Sequence, residues 1–137
     1  MTTATLQPAP DRHRLQNVAA TALPIDTKVL FSNCMGHVSF ALTLLDELEA
    51  DGKQQVDAIV LYATRDEAHA AAEAAHSLKG AAAIIGAESL RGIAVGIEAA
   101  GHAGETSLLL DLVHDLRSEM DRCLDYIPTI RAETQRR

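Results

Sequence analysis

The chain has 137 residues, enough for one domain with a real core, and 47% of them are hydrophobic, which excludes a disordered polymer. Aromatic residues make up only 3% and Trp is absent, so Ala, Leu, Ile and Val must build the core, a composition that favours closely packed helices over a sheet. A formal net charge of −7 argues against nucleic acid as the main partner, because phosphate backbones call for a basic surface.

Residues 1 to about 10 are polar and carry Pro8 and Pro10, the pattern of a flexible tail. Leu15, Val18, Ala19 and Ala22 have helical spacing and suggest a short helix over 12–22, interrupted at Leu23-Pro24. Residues 1–24 thus read as an N-terminal tail or short helix. Asp26 suits the N-cap of a second short helix over 27–35, and Gly36 permits a turn. Val38, Leu42, Leu45, Leu48, Val56, Ile59 and Ala63 then recur at spacings of three and four. The stripe stays in phase across Asp51-Gly52, so a continuous helix is expected there despite the turn-like dipeptide. Thr64-Arg65-Asp66-Glu67 fits a capping box opening a helix over about 65–85, which ends at Gly86. Leu90, Ile93, Ala94 and Ile97 mark the buried face of the next helix, with Gly101 and Gly104 bracketing a turn. The last helix is expected over about 105–131, with Leu109, Leu112, Leu116, Met120, Cys123 and Ile127 inside. No stretch alternates like a strand. The expected fold is all-α, an antiparallel four-helix bundle over residues 25–131 with one or two short N-terminal helices and a C-terminal tail over 132–137.

Cys34 and Cys123 match no metal spacing and read as reduced core thiols. No segment approaches the ~20 apolar residues that span a bilayer, and the N-terminus lacks the apolar stretch of a secretion signal. A cytoplasmic, stand-alone, monomeric protein is the expectation.

The chemistry concentrates in Ala75-His76-Ser77-Leu78-Lys79-Gly80-Ala81-Ala82-Ala83-Ile84-Ile85-Gly86-Ala87. At about 100° per residue, Ala71, Ala74, Leu78, Ala82 and Ile85 cluster on one side, and His76 lies nearly opposite Leu78. The imidazole should therefore be exposed, with Lys79 one turn on, Gly80 beside it, and Ala72 and Glu73 one turn back. A neutral imidazole nitrogen is a good nucleophile and forms covalent phospho-intermediates. A lysine supplies positive charge for phosphoryl oxygens, and a glycine leaves room for a bulky partner. Geometry alone also allows a bystander histidine on a solvated helix face. The mid-helix glycine, worth roughly 1 kcal/mol against alanine, speaks for a functional reason.

His76-Ser77-Leu78-Lys79-Gly80-Ala81, followed by Ile85-Gly86-Ala87 and Leu90, resembles the signature of histidine-phosphotransfer (HPt) domains of multistep phosphorelays. Gly36, Phe40, Leu44 and Leu45 resemble the family's early pattern, and Ile97-Glu98 the helix position where it often has Glu or Gln. The resemblance covers about residues 26–125. It implies that His76 is the phosphorylated histidine, Lys79 the contact to the phosphoryl group, Gly80 the small residue that opens the site, and Glu98 the acceptor that orients the imidazole. It implies as partners the receiver domains of response regulators and hybrid histidine kinases, with magnesium on the receiver and no cofactor here. No ATP-binding loop is present, so the chain reads as a phosphocarrier and not as a kinase. Arg91, seven residues before Glu98, and His102, four after it, share its stripe and could line the rim. His69, Ala72, Glu73 and Ala83 complete the expected docking face.

Three rivals stand beside this reading. One is a docking adaptor with the same fold that transfers no phosphate. Another is the phosphoacceptor domain of a larger chemotaxis-type kinase. The third is a metal-binding bundle, since Glu73-x-x-His76 has the spacing of di-iron ligands and Asp111-x-x-His114 offers an imperfect second set. The outward position of His76 speaks against the metal, and no metal site is expected.

Overall fold

The computed structural model describes residues 23–136. Among them are five helices and no strand: α1 (Thr27–Asn33), α2 (Val38–Thr64), α3 (Ala68–Ile85), α4 (Glu88–Ala103) and α5 (Thr106–Gln135). The short helix suggested over 12–22 lies outside the described residues. Helices α2 to α5 run up and down around one core, each packed on the next, with α5 closing back on α2. Leu45, Ile59, Leu78, Leu90, Ile97, Leu116, Met120 and Ile127 are fully buried in it, an aliphatic centre as the composition demands. No single helix among the described residues is long and apolar enough to cross a membrane.

Helix α1 is a strap over the end of the bundle where α3 gives way to α4. The Asp26 carboxylate caps it, accepting from the Lys28 and Val29 amides at 3.0 and 3.4 Å. Ile25 and Leu30 are fully buried. Two polar ties hold the strap: the Asp26 amide donates to the Gly86 carbonyl at 2.8 Å, and Asn33 Nδ2 donates to the Ile84 carbonyl at 2.9 Å. Gly86 has φ +77°, and a Cβ there would stand 2.5 Å from the Asp26 carbonyl oxygen. Glycine is required on both counts.

The Asp51-Gly52 pair lies inside a continuous α2, as the stripe requires. Gly52 is where α5 comes closest, with Met120 Sδ 2.9 Å from the place a Cβ would occupy. Val38, Leu42, Ile93 and Leu112 are half-buried where the stripes place them inside, and Ala41 and Val113 are buried instead. Each helix here has two neighbours, so its buried sector is shared between two contacts and single stripe positions fall at its edge.

Three expectations at element ends need correction. Thr64 does not cap α3: it ends α2, and its hydroxyl donates back to the Leu61 carbonyl at 3.0 Å, while Asp66 takes a left-handed φ of +60° and α3 begins at Ala68. Local back-bonding competes with capping for threonine, and the buried Ala63 holds α2 helical to that point. Gly101 does not open a turn. It is buried within α4, which ends at the left-handed Gly104. The last helix does not stop at 131 but runs to Gln135, because Arg131 reaches across to α2 and donates to Asp46 Oδ1 at 2.6 Å and Glu49 Oε1 at 2.5 Å.

Among the described residues, Glu119 on α5 is the buried charged residue of the core. Its Oε1 accepts from Arg122 Nη1 at 2.8 Å, and its Oε2 has no hydrogen-bond partner among the described residues. Burial pushes its carboxyl above the ordinary value of 4.5, with Arg122 pulling the other way. The folded state thus favours the protonated acid, so this residue's cost is absent below the unfolded value and grows as pH rises through the raised one. Glu119→Gln is expected to be more resistant to urea than the wild type at pH 7, the gain shrinking as pH falls toward 4.5 and gone below it; a gain independent of pH would contradict this account.

A Cβ at Gly101 would stand 2.5 Å from the Ala68 carbonyl oxygen and 2.8 Å from Ala72 Cβ, whereas one at Gly92, exposed on the same helix, meets nothing within 4 Å. Gly101→Ala is expected to lose about 1–3 kcal/mol by overpacking. Gly92→Ala should gain about 0.5–1 kcal/mol from helix propensity. Urea unfolding of both variants checks the contrast.

Candidate functional site

The site is built where α3 meets α4. Residues Ala68, Ala72, His76 and Lys79 follow one another at spacings of four, four and three, which makes them one face of α3. That face lies against Glu98 and Gly101 of α4. Ala72 fills the space that Gly101 leaves open, and this small-residue contact lets the two backbones approach closely. One to two turns of α3 farther on, the approach puts the Glu98 carboxylate between two donors. Its Oε2 lies 2.7 Å from His76 Nδ1, and its Oε1 accepts from Lys79 Nζ at 2.8 Å.

The carboxylate is the best sheltered of the three groups: the Glu98 side chain is 20% exposed, Lys79 30% and His76 64%. The hydrogen bond from Lys79, and next the one with His76, hold the Glu98 carboxyl below its ordinary 4.5, against a smaller opposing effect of desolvation. Ionised at neutral pH, it can only accept, so the proton of the neutral imidazole is on Nδ1. Nε2 then carries the free lone pair, on an exposed ring at the outer surface of the bundle. Gly80, one turn farther along α3, is exposed, with nothing within 4 Å of where a Cβ would be. The arrangement is a nucleophilic nitrogen with a fixed tautomer, an ammonium nearby and an unobstructed approach.

The other expected site residues divide. His69 and Glu73 are exposed on α3 and pair with each other, Nε2 to Oε2, at 3.2 Å. The His102 ring, from α4, lies 5.0 Å from that of His69, centroid to centroid. Ala83 is exposed. Ala72 is not a docking residue: it is 0% exposed, because the helix face it shares with His76 is the face that α4 covers. Arg91 is not drawn toward His76. Its guanidinium is taken up by Glu88 one turn back, Nε to Oε1 at 3.0 Å and Nη2 to Oε2 at 2.6 Å. Two exposed apolar side chains went unread, Ile84 on α3 and Val95 on α4. The available signal was a large aliphatic residue off the buried stripe, eight residues after His76 and three before Glu98. Among the described residues no group of three or more His, Cys, Asp or Glu is placed to hold a metal ion. Glu73, the partner that a di-iron arrangement gives to His76, turns to His69 instead.

A family model, the Hpt domain, matches residues 40–126. Neither the curated proteins nor the solved structures contain a match to this chain. The all-α bundle and the family match together place the chain among the helical bundles of two-component signalling. The chain belongs to the Hpt domain family, whose members have a histidine phosphotransfer role and interact with response-regulator receiver domains.

The depressed carboxyl of Glu98 has a measurable consequence. A carboxylate whose folded value lies below its unfolded one contributes stability that is complete above the unfolded value and lost as pH falls through the folded one. Glu98→Gln is expected to be less stable than the wild type at pH 7, with the two converging as pH drops below 4.5. Denaturant midpoints across that range test it; a difference that persists at the acid end would assign the loss to packing instead.

Proposed function

We propose that His76 Nε2 takes a phosphoryl group from the aspartyl phosphate of one receiver domain and passes it to the aspartate of another. The observation that carries this reading is the Nδ1–Glu98 contact at 2.7 Å, which leaves Nε2 as the free nitrogen on an exposed ring. In the forward step Nε2 attacks phosphorus in line as the bond from phosphorus to the aspartyl oxygen breaks and the carboxylate leaves. Nδ1 keeps its proton throughout, and the positive charge developing on the ring is met by the Glu98 carboxylate. The ammonium of Lys79 has three donors, of which one is given to Glu98, so two remain for phosphoryl oxygens.

In this reading the chain needs no cofactor of its own, since the magnesium that neutralises the transferring group belongs to the receiver. The receiver docks over His76 and the open flank at Gly80, with Ala83, Ile84 and Val95 as the apolar contacts and His69, Glu73 and His102 at one edge. The protein acts as a cytoplasmic monomer and a carrier without kinase activity.

Phosphotransfer from a labelled, phosphorylated receiver is the test. Wild-type protein is expected to gain acid-labile label and His76→Gln none. Gly80→Leu should dock at least ~10-fold more weakly, a loss of about 1.4 kcal/mol, because its side chain would fill the approach. Binding without labelling, across a broad panel of receivers, would instead make the chain a docking adaptor.

A further inference from the structure

Beside the phosphoacceptor lies a second pair of imidazoles that the transfer step does not use. His69 is in the first turn of α3 and His102 in the last turn of α4, and the antiparallel packing brings their rings to 5.0 Å at an interplanar angle of 59°. Both residues are exposed, so protons reach them freely. Glu73 Oε2, 3.2 Å from His69 Nε2, offers a counter-charge for one proton on that ring. Glu73 leaves His102 uncompensated, although a helix C-terminus accommodates a cation through its partial negative charge. The remaining charged groups at this end of the bundle are Arg65, Asp66 and Glu67 in the α2–α3 turn and Glu105 at the start of α5; Asp66 Oδ1 accepts from the Thr106 hydroxyl at 3.4 Å. Toward the phosphoacceptor stand His76, Lys79 and Glu98, with the Glu98 carboxylate shared between the imidazole and the ammonium.

We propose that His69 and His102 form a proton-binding pair linked to the phosphoryl group on His76, so that phosphorylation draws protons onto the pair and acidification in turn favours the phosphorylated form. The proposal rests on the carrier reading above. Its physical basis is distance and charge. His69 is seven residues from His76 on the same helix, a rise of about 10 Å, and His102 is four residues from Glu98, about 6 Å. Those lengths match the screening length of about 8–10 Å at physiological salt. A phosphoryl group adds ~1.5–2 negative charges at His76. Imidazole is the side chain whose charge responds to pH changes around neutrality, and at a ring separation of 5.0 Å a proton on one ring acts on the other by like-charge repulsion. Reciprocity is thermodynamic: whatever phosphorylation does to proton affinity, protons do to the phosphorylation equilibrium.

The experiment is an NMR titration of the imidazole resonances before and after phosphorylation with phosphoramidate. In that reaction the phosphorus–nitrogen bond of the reagent breaks, ammonia leaves and a bond from phosphorus to His76 Nε2 forms. The titration curves of His69 and His102 are expected to move to higher pH on phosphorylation, by about 0.3–0.5 unit each. In His69→Gln the His102 curve should still move, and it should lose the two-step shape of a coupled pair. Phosphorylation at His76 with both curves unmoved would overturn the linkage and leave the carrier reading intact. Failure of His76 to accept the group at all would remove the carrier reading, and the linkage with it.

Discussion

The carboxylate of Glu98 is claimed by two donors from a single face of α3, and most of what surrounds it exists to allow that. A glutamate reaches both an imidazole and an ammonium only if the helix that bears it runs close to the helix that bears them. Gly101 and Ala72 provide the closeness, with no atom to spare between them. The left-handed Gly86 ends α3 just before α4 begins, and the strap at Asp26 is hydrogen-bonded to its carbonyl. The same carboxylate does two chemical jobs. It faces His76 Nδ1 with one oxygen, and with the other it accepts from the Lys79 ammonium.

The remainder of the bundle tolerates less favourable electrostatics at greater distance. Glu119 keeps a carboxylate oxygen buried and unpaired among the described residues, a cost that the aliphatic core around it absorbs. Arg131 works in the opposite sense, joining the far end of α5 to two acids of α2 at the surface. Exposed pairs of this kind contribute little each, and the fully buried Ile127 and Ile130 pack the same turns onto the core.

How much of this could be read from the residues depended on whether the information was local. Helix identity was legible wherever apolar residues kept period, which is why α2 could be followed through Asp51-Gly52. The outward position of His76 followed from the same angular arithmetic. Ends were harder: Thr64 has the residues of a cap, and only the tertiary burial of Ala63 shows that the previous helix still needs it. Gly101 looked like punctuation because the reason for it, Ala72 and the Ala68 carbonyl, lies about 30 residues away. Ala72 was misplaced for the same reason. Angle on a helix states which residues share a face, not which neighbouring helix covers that face.

His76 and Glu98 are separated by 22 positions, whereas Arg131 and its two acids are separated by 85 and 82. The functional geometry is thus contained in one helical hairpin, and the long-range clamp only completes the bundle around it. Chain segments that close short loops meet sooner and at a smaller entropic cost than those that close long ones. The hairpin carrying the site is the portion able to organise first during folding. Fraying at the distant end of α5 leaves its internal contacts untouched, so the chemistry is insulated from the part of the chain whose closure spans the greatest length.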